Sequence, residues 1–169
     1  MHDKKIIKKK SSVSSEKSTR AATKTKSKTA AKKKNENSFP IVAVGSSAGG
    51  LEAMSVMLRE LPSDLGMAFI YVQHLSPDHK SMLSSILSHV TRMKVQEIED
   101  MEKMLPNKVY VIPNNKSIKV TNGHIKLGPR SKNNTPISID VLFESLAKTH
   151  KKNVIGIILS GNGSDGKKG

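Results

Sequence analysis

The sequence predicts an α/β domain built on a doubly wound, mostly parallel sheet with helices on both faces and a β-hairpin insertion. Three observations carry that prediction. Apolar runs too continuous for half-exposed strands recur at 40–45, 67–74, 108–113 and 154–161, as strands buried on both faces do. Segments with apolar residues at helical spacing alternate with them. Polar, glycine-bearing or histidine-bearing clusters follow three of the runs: "GSSAGG", "QHLSPDH" and "GNGSDG".

The elements follow in order. "PIVAVG" (40–45) is the first strand. "LEAMSVMLREL" (51–61) sets Leu51, Met54, Met57, Leu58 and Leu61 on one helical face. "MAFIYVQH" (67–74) is the second strand, and 79–90 is a helix with Met82, Leu83, Ile86, Leu87 and Val90 at helical spacing. Residues 93–98 and 108–113 give two more strands, the latter stopped by Pro113. "SIKVTNGHIKL" (117–127) alternates about Asn122-Gly123, a hairpin signal. Residues 139–151 form a helix with Asp140 as N-cap and Val141, Leu142 and Leu146 inward. The run 154–161 is a last buried strand. The chain stops at Gly169, where an α/β domain would place a covering helix, so the expectation is a piece of a longer chain with its C-terminal part missing.

Residues 1–38 differ in texture. They hold 13 Lys or Arg against 3 acids, so most of the chain's net +15 lies there, and residues 39–169 carry about +5. This Lys/Ser/Thr-rich segment has too little apolar area to offset its ordering entropy and is expected to be disordered. It reads either as a polyanion-binding arm or as a solvated leader. With 3% aromatics, a base-stacking surface for specific nucleic-acid binding is not apparent. The absence of cysteine excludes disulfides, thiolate catalysis and cysteine zinc sites. No run reaches the roughly 18 apolar residues of a transmembrane helix.

In an open parallel sheet, sites form beyond the carboxyl ends of the strands, so the three polar clusters share one edge. The first lacks the G-x-G-x-x-G spacing and the lysine of phosphate loops. Gly45-Ser46-Ser47-Ala48-Gly49 instead fits G-x-S-x-G, the strand-to-helix elbow that lifts a central serine, here Ser47. Ala48 and Gly49 follow at a helix N-terminus, where backbone N–H groups can stabilise an oxyanion. A serine needs a base and an orienting acid. His74, ending the second strand, and Asp165, in the loop after the last, supply those types. The order Ser, His, Asp differs from that of α/β-hydrolases. His79 and His89 lie in or beside the second helix, and His2, His124 and His150 read as surface; His74 and His79 do not share a helical face, so a metal pair there is not expected.

"IVAVGSSAGGLEAM", "YVQHLSPDHKSML", "YVIPNN", "PISIDVLFESLA" and "ILSGNGSDG" together resemble the catalytic domain of the chemotaxis protein-glutamate methylesterases, the CheB family, from about Phe39 to the end. The resemblance implies a serine triad of Ser47, His74 and Asp165 that removes methyl esters from glutamate side chains on chemoreceptor cytoplasmic helices. Deamidation of receptor glutamines is a related activity, and no metal or organic cofactor is required. It implies a cytoplasmic protein whose partners are methylated chemoreceptors. Residues 1–38 cannot form the N-terminal receiver domain of stand-alone members. The texture looks more like esterase domains at the N-terminus of hybrid proteins, joined to a receptor methyltransferase. Two positions depart from the pattern: Ala48 stands where Thr is usual, and Asn162 where a Met contributes its backbone amide to the oxyanion hole. Ala48 and the missing receiver also fit an alternative, a non-catalytic docking module of such a hybrid protein.

Overall fold

The computed structural model describes residues 39–74, 81–130, 138–159 and 165–169. The basic segment 1–38 and the disorder expected of it lie outside the described residues. In chain order the elements are β1 (Ile41–Ser46), α1 (Gly50–Glu60), β2 (Ala68–Gln73), α2 (Leu83–Ser88), β3 (Lys94–Glu97), β4 (Glu102–Lys103), β5 (Lys108–Val111), β6 (Lys116–Thr121), β7 (His124–Pro129), α3 (Ser138–His150) and β8 (Val154–Ile158), with a 3₁₀ turn (Lys151–Asn153) before β8.

Five strands form a parallel sheet in the order β3-β5-β2-β1-β8. Side chains alternate between its faces, and the sequence alternates two sets of apolar residues accordingly. Val42, Val44, Phe69, Tyr71, Val109 and Val111 meet Met54 and Leu58 of α1 and Leu83 and Leu87 of α2. Ile41, Ala43, Ala68, Ile70, Val72 and Tyr110 meet Ile139, Leu142, Phe143 and Leu146 of α3, with Ile118, Val120 and Ile125 of the hairpin. Each fully buried Leu or Ile among these contributes about 1.5–3 kcal/mol.

The hairpin is therefore part of the second layer rather than an appendage. It turns at Asn122-Gly123, both at positive φ (49° and 75°), which suits the twist of the flanking strands. The two-residue β4, absent from the sequence reading, pairs with β7 to complete a three-stranded antiparallel sheet. Two residues of Glu-Lys carry no periodicity to read.

Four expectations change in detail. The run at 154–161 reads as buried, yet among the described residues β8 pairs with β1 alone, and Ile155 and Ile158 are 47% and 50% exposed. Of the apolar positions on α2 only Leu83 and Leu87 are buried; Met82 precedes the helix and is exposed. Val141 faces outward, and Ile139 and Phe143 take its place inward. His150 is not on the surface but 8% exposed, tucked at the end of α3. No helix among the described residues is long and apolar enough to cross a membrane.

Candidate active site

The site is built at the carboxyl edge of the sheet, from described residues that follow β1 and β2 and from Asp165, which contacts the residue after β2. The chain first winds through α1 and α2 on one face, then returns over the other face to bring β8 next to β1. That reversal leaves a crevice at the strand ends, where sites of open α/β sheets form.

The elbow after β1 depends on two glycines. Gly49 adopts φ 80°, a left-handed conformation that glycine takes without penalty. A Cβ on Gly50 would run into the Cβ and Oγ of Ser46, so only glycine lets α1 start this close to β1. Gly50 N–H donates to the Ser47 carbonyl at 3.1 Å and closes the turn. A third glycine, Gly45, lies under α3: its Cβ would come within 2.6 Å of Ile139 Cγ2. The start of α3 is thereby seated directly over the end of β1.

The two serines of the elbow have different environments. Ser46 is 2% exposed, and its hydroxyl donates to Tyr71 Oη at 2.9 Å. Tyr71 in turn donates to Gln73 Oε1 at 2.7 Å, and Gln73 Nε2 reaches back to the Ser47 carbonyl at 3.4 Å. Burial holds the Tyr71 phenol above its usual 10.0, offset in part by the Ser46 hydrogen bond, so it remains a donor. Ser46 is thus a structural hydroxyl, while Ser47 is half-buried at the crevice. The relay through Tyr71 and Gln73 buttresses the peptide that carries Ser47. Its sequence signal was a polar Gln-His pair closing an apolar strand.

His74 follows β2. Ser46 pairs with Gln73 in the β1–β2 register, so Ser47 and His74 are the next residues out on adjacent strands. His74 N–H donates to the Ser46 carbonyl at 3.1 Å, which continues the ladder to that level. The His74 ring meets Asp165 through Nε2 and Oδ2 at 2.8 Å, with side chains 20% and 4% exposed. A carboxylate only accepts, so Nε2 carries the hydrogen and the neutral ring keeps its lone pair on Nδ1.

Asp165 is held from the far side by α3. Its Oδ2 also accepts Ile139 N–H at 3.1 Å, and its Oδ1 accepts Asp140 N–H at 2.9 Å. The carboxylate sits on the first turn of the helix, where free N–H groups and the helix dipole favour negative charge. Asp140 is therefore not an N-cap of its own helix. Its Oδ1 accepts N–H groups from Gly166, Lys168 and Gly169 at 2.8, 2.9 and 3.1 Å. Local spacing suggested a cap; a carboxylate within the first turn points instead to the loop it faces.

Of the residues expected at the site, His74 and Asp165 are in contact, Ser47 is on the neighbouring strand end, and Ala48 and Gly49 form the exposed turn between Ser47 and α1. Asn162 lies outside the described residues. Among the described residues no three His, Cys, Asp or Glu side chains group as a metal site.

Comparison with known proteins agrees with this architecture. The CheB methylesterase family profile matches residues 42–169. The chain is 36% identical over 139 residues to the protein-glutamate methylesterase/protein-glutamine glutaminase of Salmonella typhimurium, and 34% identical to that of Escherichia coli K12. Each alignment covers 79% of this chain and 39% of the relative, so the chain spans about two fifths of the length of these proteins. The crystal structure of the Thermotoga maritima CheB methylesterase catalytic domain superposes with a TM-score of 0.68 at 30% identity, covering 78% of this chain and 72% of that one. The chain belongs to the CheB methylesterase family.

Proposed function

We propose that this chain is the catalytic part of a serine hydrolase that removes methyl esters from glutamate side chains of chemoreceptors and acts on receptor glutamines by the same route. The single observation that carries this reading is the His74–Asp165 pair, held at 2.8 Å beside the end of β1 that presents Ser47. In the proposed reaction, His74 Nδ1 takes the Ser47 proton as Oγ attacks the ester carbonyl. Asp165 fixes the tautomer through Nε2–H and offsets the charge the ring gains. The turn of Ala48 and Gly49, at the positive end of α1, supports the developing oxyanion. His74 returns the proton to the departing methoxide, methanol leaves, and a glutamyl ester of Ser47 remains. His74 then draws a proton from water, which attacks that ester and frees glutamate and Ser47.

The related proteins are named methylesterase/glutaminase, and both activities fit one acyl-enzyme because methanol and ammonia are alternative leaving groups. The substrate glutamates of this reading lie on cytoplasmic receptor helices, so the protein acts in the cytoplasm. The test is methanol release from a methylated receptor cytoplasmic fragment by the full-length protein. Release that depends on His74 supports the reading; a folded protein that releases none contradicts it.

A further inference from the structure

The side-chain hydrogen bonds around the elbow run in one direction. Ser46 Oγ donates to Tyr71 Oη at 2.9 Å, Tyr71 Oη donates to Gln73 Oε1 at 2.7 Å, and Gln73 Nε2 donates to the Ser47 carbonyl at 3.4 Å. That direction is set at the Ser47 end. A carbonyl oxygen only accepts, so the Gln73 carboxamide turns its nitrogen toward it and its oxygen toward Tyr71. The phenol must then donate to Gln73, which leaves its own oxygen to accept from Ser46. The opposite arrangement would set two oxygens, Gln73 Oε1 and the Ser47 carbonyl, against each other.

The relay lies between the two strand ends that matter. Ser46 and Gln73 are partners in the β1–β2 register, and the next residues out are Ser47 and His74. Tyr71 is fully buried, and a Cβ on Gly50 would lie 3.5 Å from its hydroxyl, so the relay passes beneath the first residue of α1. The Ser47 carbonyl also accepts Gly50 N–H at 3.1 Å. Helix start and relay thus grip one oxygen, and that oxygen fixes the angle at which the chain leaves Ser47. Burial keeps the Tyr71 phenol above its usual 10.0, so the middle link holds its proton throughout the neutral range.

We infer that Tyr71 and Gln73 are positioning residues for attack by Ser47, a one-way chain of donors that orients the Ser47 peptide and directs the Ser46 proton away from the crevice. The inference rests on the hydrolase reading above and adds the residues that aim its nucleophile. Linked hydrogen bonds in a low-dielectric setting strengthen one another, so Tyr71 acts through Gln73. Ser46 stands at the far end of the chain, and without it Tyr71 still donates to Gln73.

The test compares Gln73→Met, Gln73→Glu and Tyr71→Phe in the full-length protein. It measures methanol release from a methylated receptor peptide and amide hydrogen exchange at Gly50. Met fills similar space without a donor. Glu keeps the shape and the oxygen facing Tyr71, but sets a second oxygen against the Ser47 carbonyl. In Gln73→Met kcat should fall about tenfold, as loss of one hydrogen bond gives. In Gln73→Glu it should fall on the order of 10²-fold, as a displaced nucleophile gives. KM should stay near its wild-type value in both. Tyr71→Phe frees the carboxamide to turn and should lower kcat less than Gln73→Glu; if it does not fold, the two Gln73 variants decide. The Gly50 amide should exchange faster in the variants relative to the amides of β2. An unchanged kcat, a loss confined to KM, or equal losses in Gln73→Met and Gln73→Glu overturns the positioning role. Hydrogen exchange keeps the two ideas apart. Faster Gly50 exchange in the Gln73 variants, with no methanol from the wild type, upholds the relay and removes the hydrolase reading. Methanol release at the wild-type kcat in every variant does the reverse.

Discussion

Asp140 and Asp165 hold each other's backbones. Asp165 Oδ1 accepts the Asp140 N–H at 2.9 Å, and Asp140 Oδ1 accepts the Gly166 N–H at 2.8 Å. The clasp ties the first turn of α3 to the loop that carries Asp165, and Asp165 Oδ2 is left facing His74. One carboxylate orients the ring; the other orients the carboxylate.

Asp140→Ala removes three backbone acceptor contacts, one of them to the buried Gly166. The expected loss is about 2 kcal/mol of stability. A displacement of Asp165 by about 1 Å would also lower kcat by on the order of 10²-fold while leaving KM near its wild-type value. Asp140→Asn keeps the accepting oxygen and should lose clearly less. Denaturant titration with steady-state kinetics on both variants checks this; an unchanged kcat in Asp140→Ala would show that the clasp does not position Asp165.

The two serines of the elbow should separate cleanly. Ser46→Ala loses one buried hydrogen bond to Tyr71, which costs about 1 kcal/mol, and it retains esterase activity. Ser47→Ala should keep its stability and lose up to about 10⁶ in kcat. Thermal melts and methanol release on the same preparations test the pair. Comparable activity in both variants would remove Ser47 from the role assigned to it.

Much of this was legible in the sequence because parallel strands buried on both faces leave continuous apolar runs, and because sites of such sheets gather at strand ends. β1, α1, β2, β5, the hairpin and α3 were all marked by period or by turn chemistry. Ser47, His74 and Asp165 could be named because each ends a strand or follows one. What stayed hidden depends on contacts between segments distant in sequence. Tyr71 looks like a strand aromatic until its hydroxyl is seen between Ser46 and Gln73. Asp140 looks like a cap until its partners, 26 to 29 residues away, come into view.

Gly50 makes a sharper prediction about the elbow than the nucleophile motif does. A methyl group there meets Ser46 Cβ and Oγ, and Ser46 cannot yield without breaking its bond to Tyr71. Gly50→Ala should cost about 1–3 kcal/mol from overpacking alone, and activity should fall with the displaced Ser47. Gly66→Ala is the control: its Cβ meets nothing, so its cost is only that of the positive φ of 72°. Equal stability of Gly50→Ala and wild type would mean that α1 does not pack this tightly on β1.

His150 gives the fold an acid sensitivity. Burial lowers its pKa from the usual 6.5, and among the described residues its Nε2 has no hydrogen-bond partner. The unfolded chain takes up a proton as pH drops through 6.5, whereas the folded chain resists until its own lower pKa is reached. Its contribution is therefore intact above pH 6.5 and falls below it, by at most about 1.4 kcal/mol per pH unit. Denaturant midpoints at neutral and mildly acidic pH should diverge more in wild type than in His150→Gln; identical pH dependence in the two proteins would exclude the effect.

In the proposed reaction Ser47 forms the covalent intermediate, with His74 and Asp165 as its base and orienting acid. The most direct measurement is acid quenching of the full-length protein during turnover of a methylated receptor peptide, followed by peptide mapping by mass spectrometry. The expected result is a glutamyl ester on the peptide containing Ser47, absent from Ser47→Ala, retained in Ser46→Ala and strongly reduced in Asp165→Asn. An adduct on Ser46, or methanol released by Ser47→Ala at the wild-type rate, would contradict it.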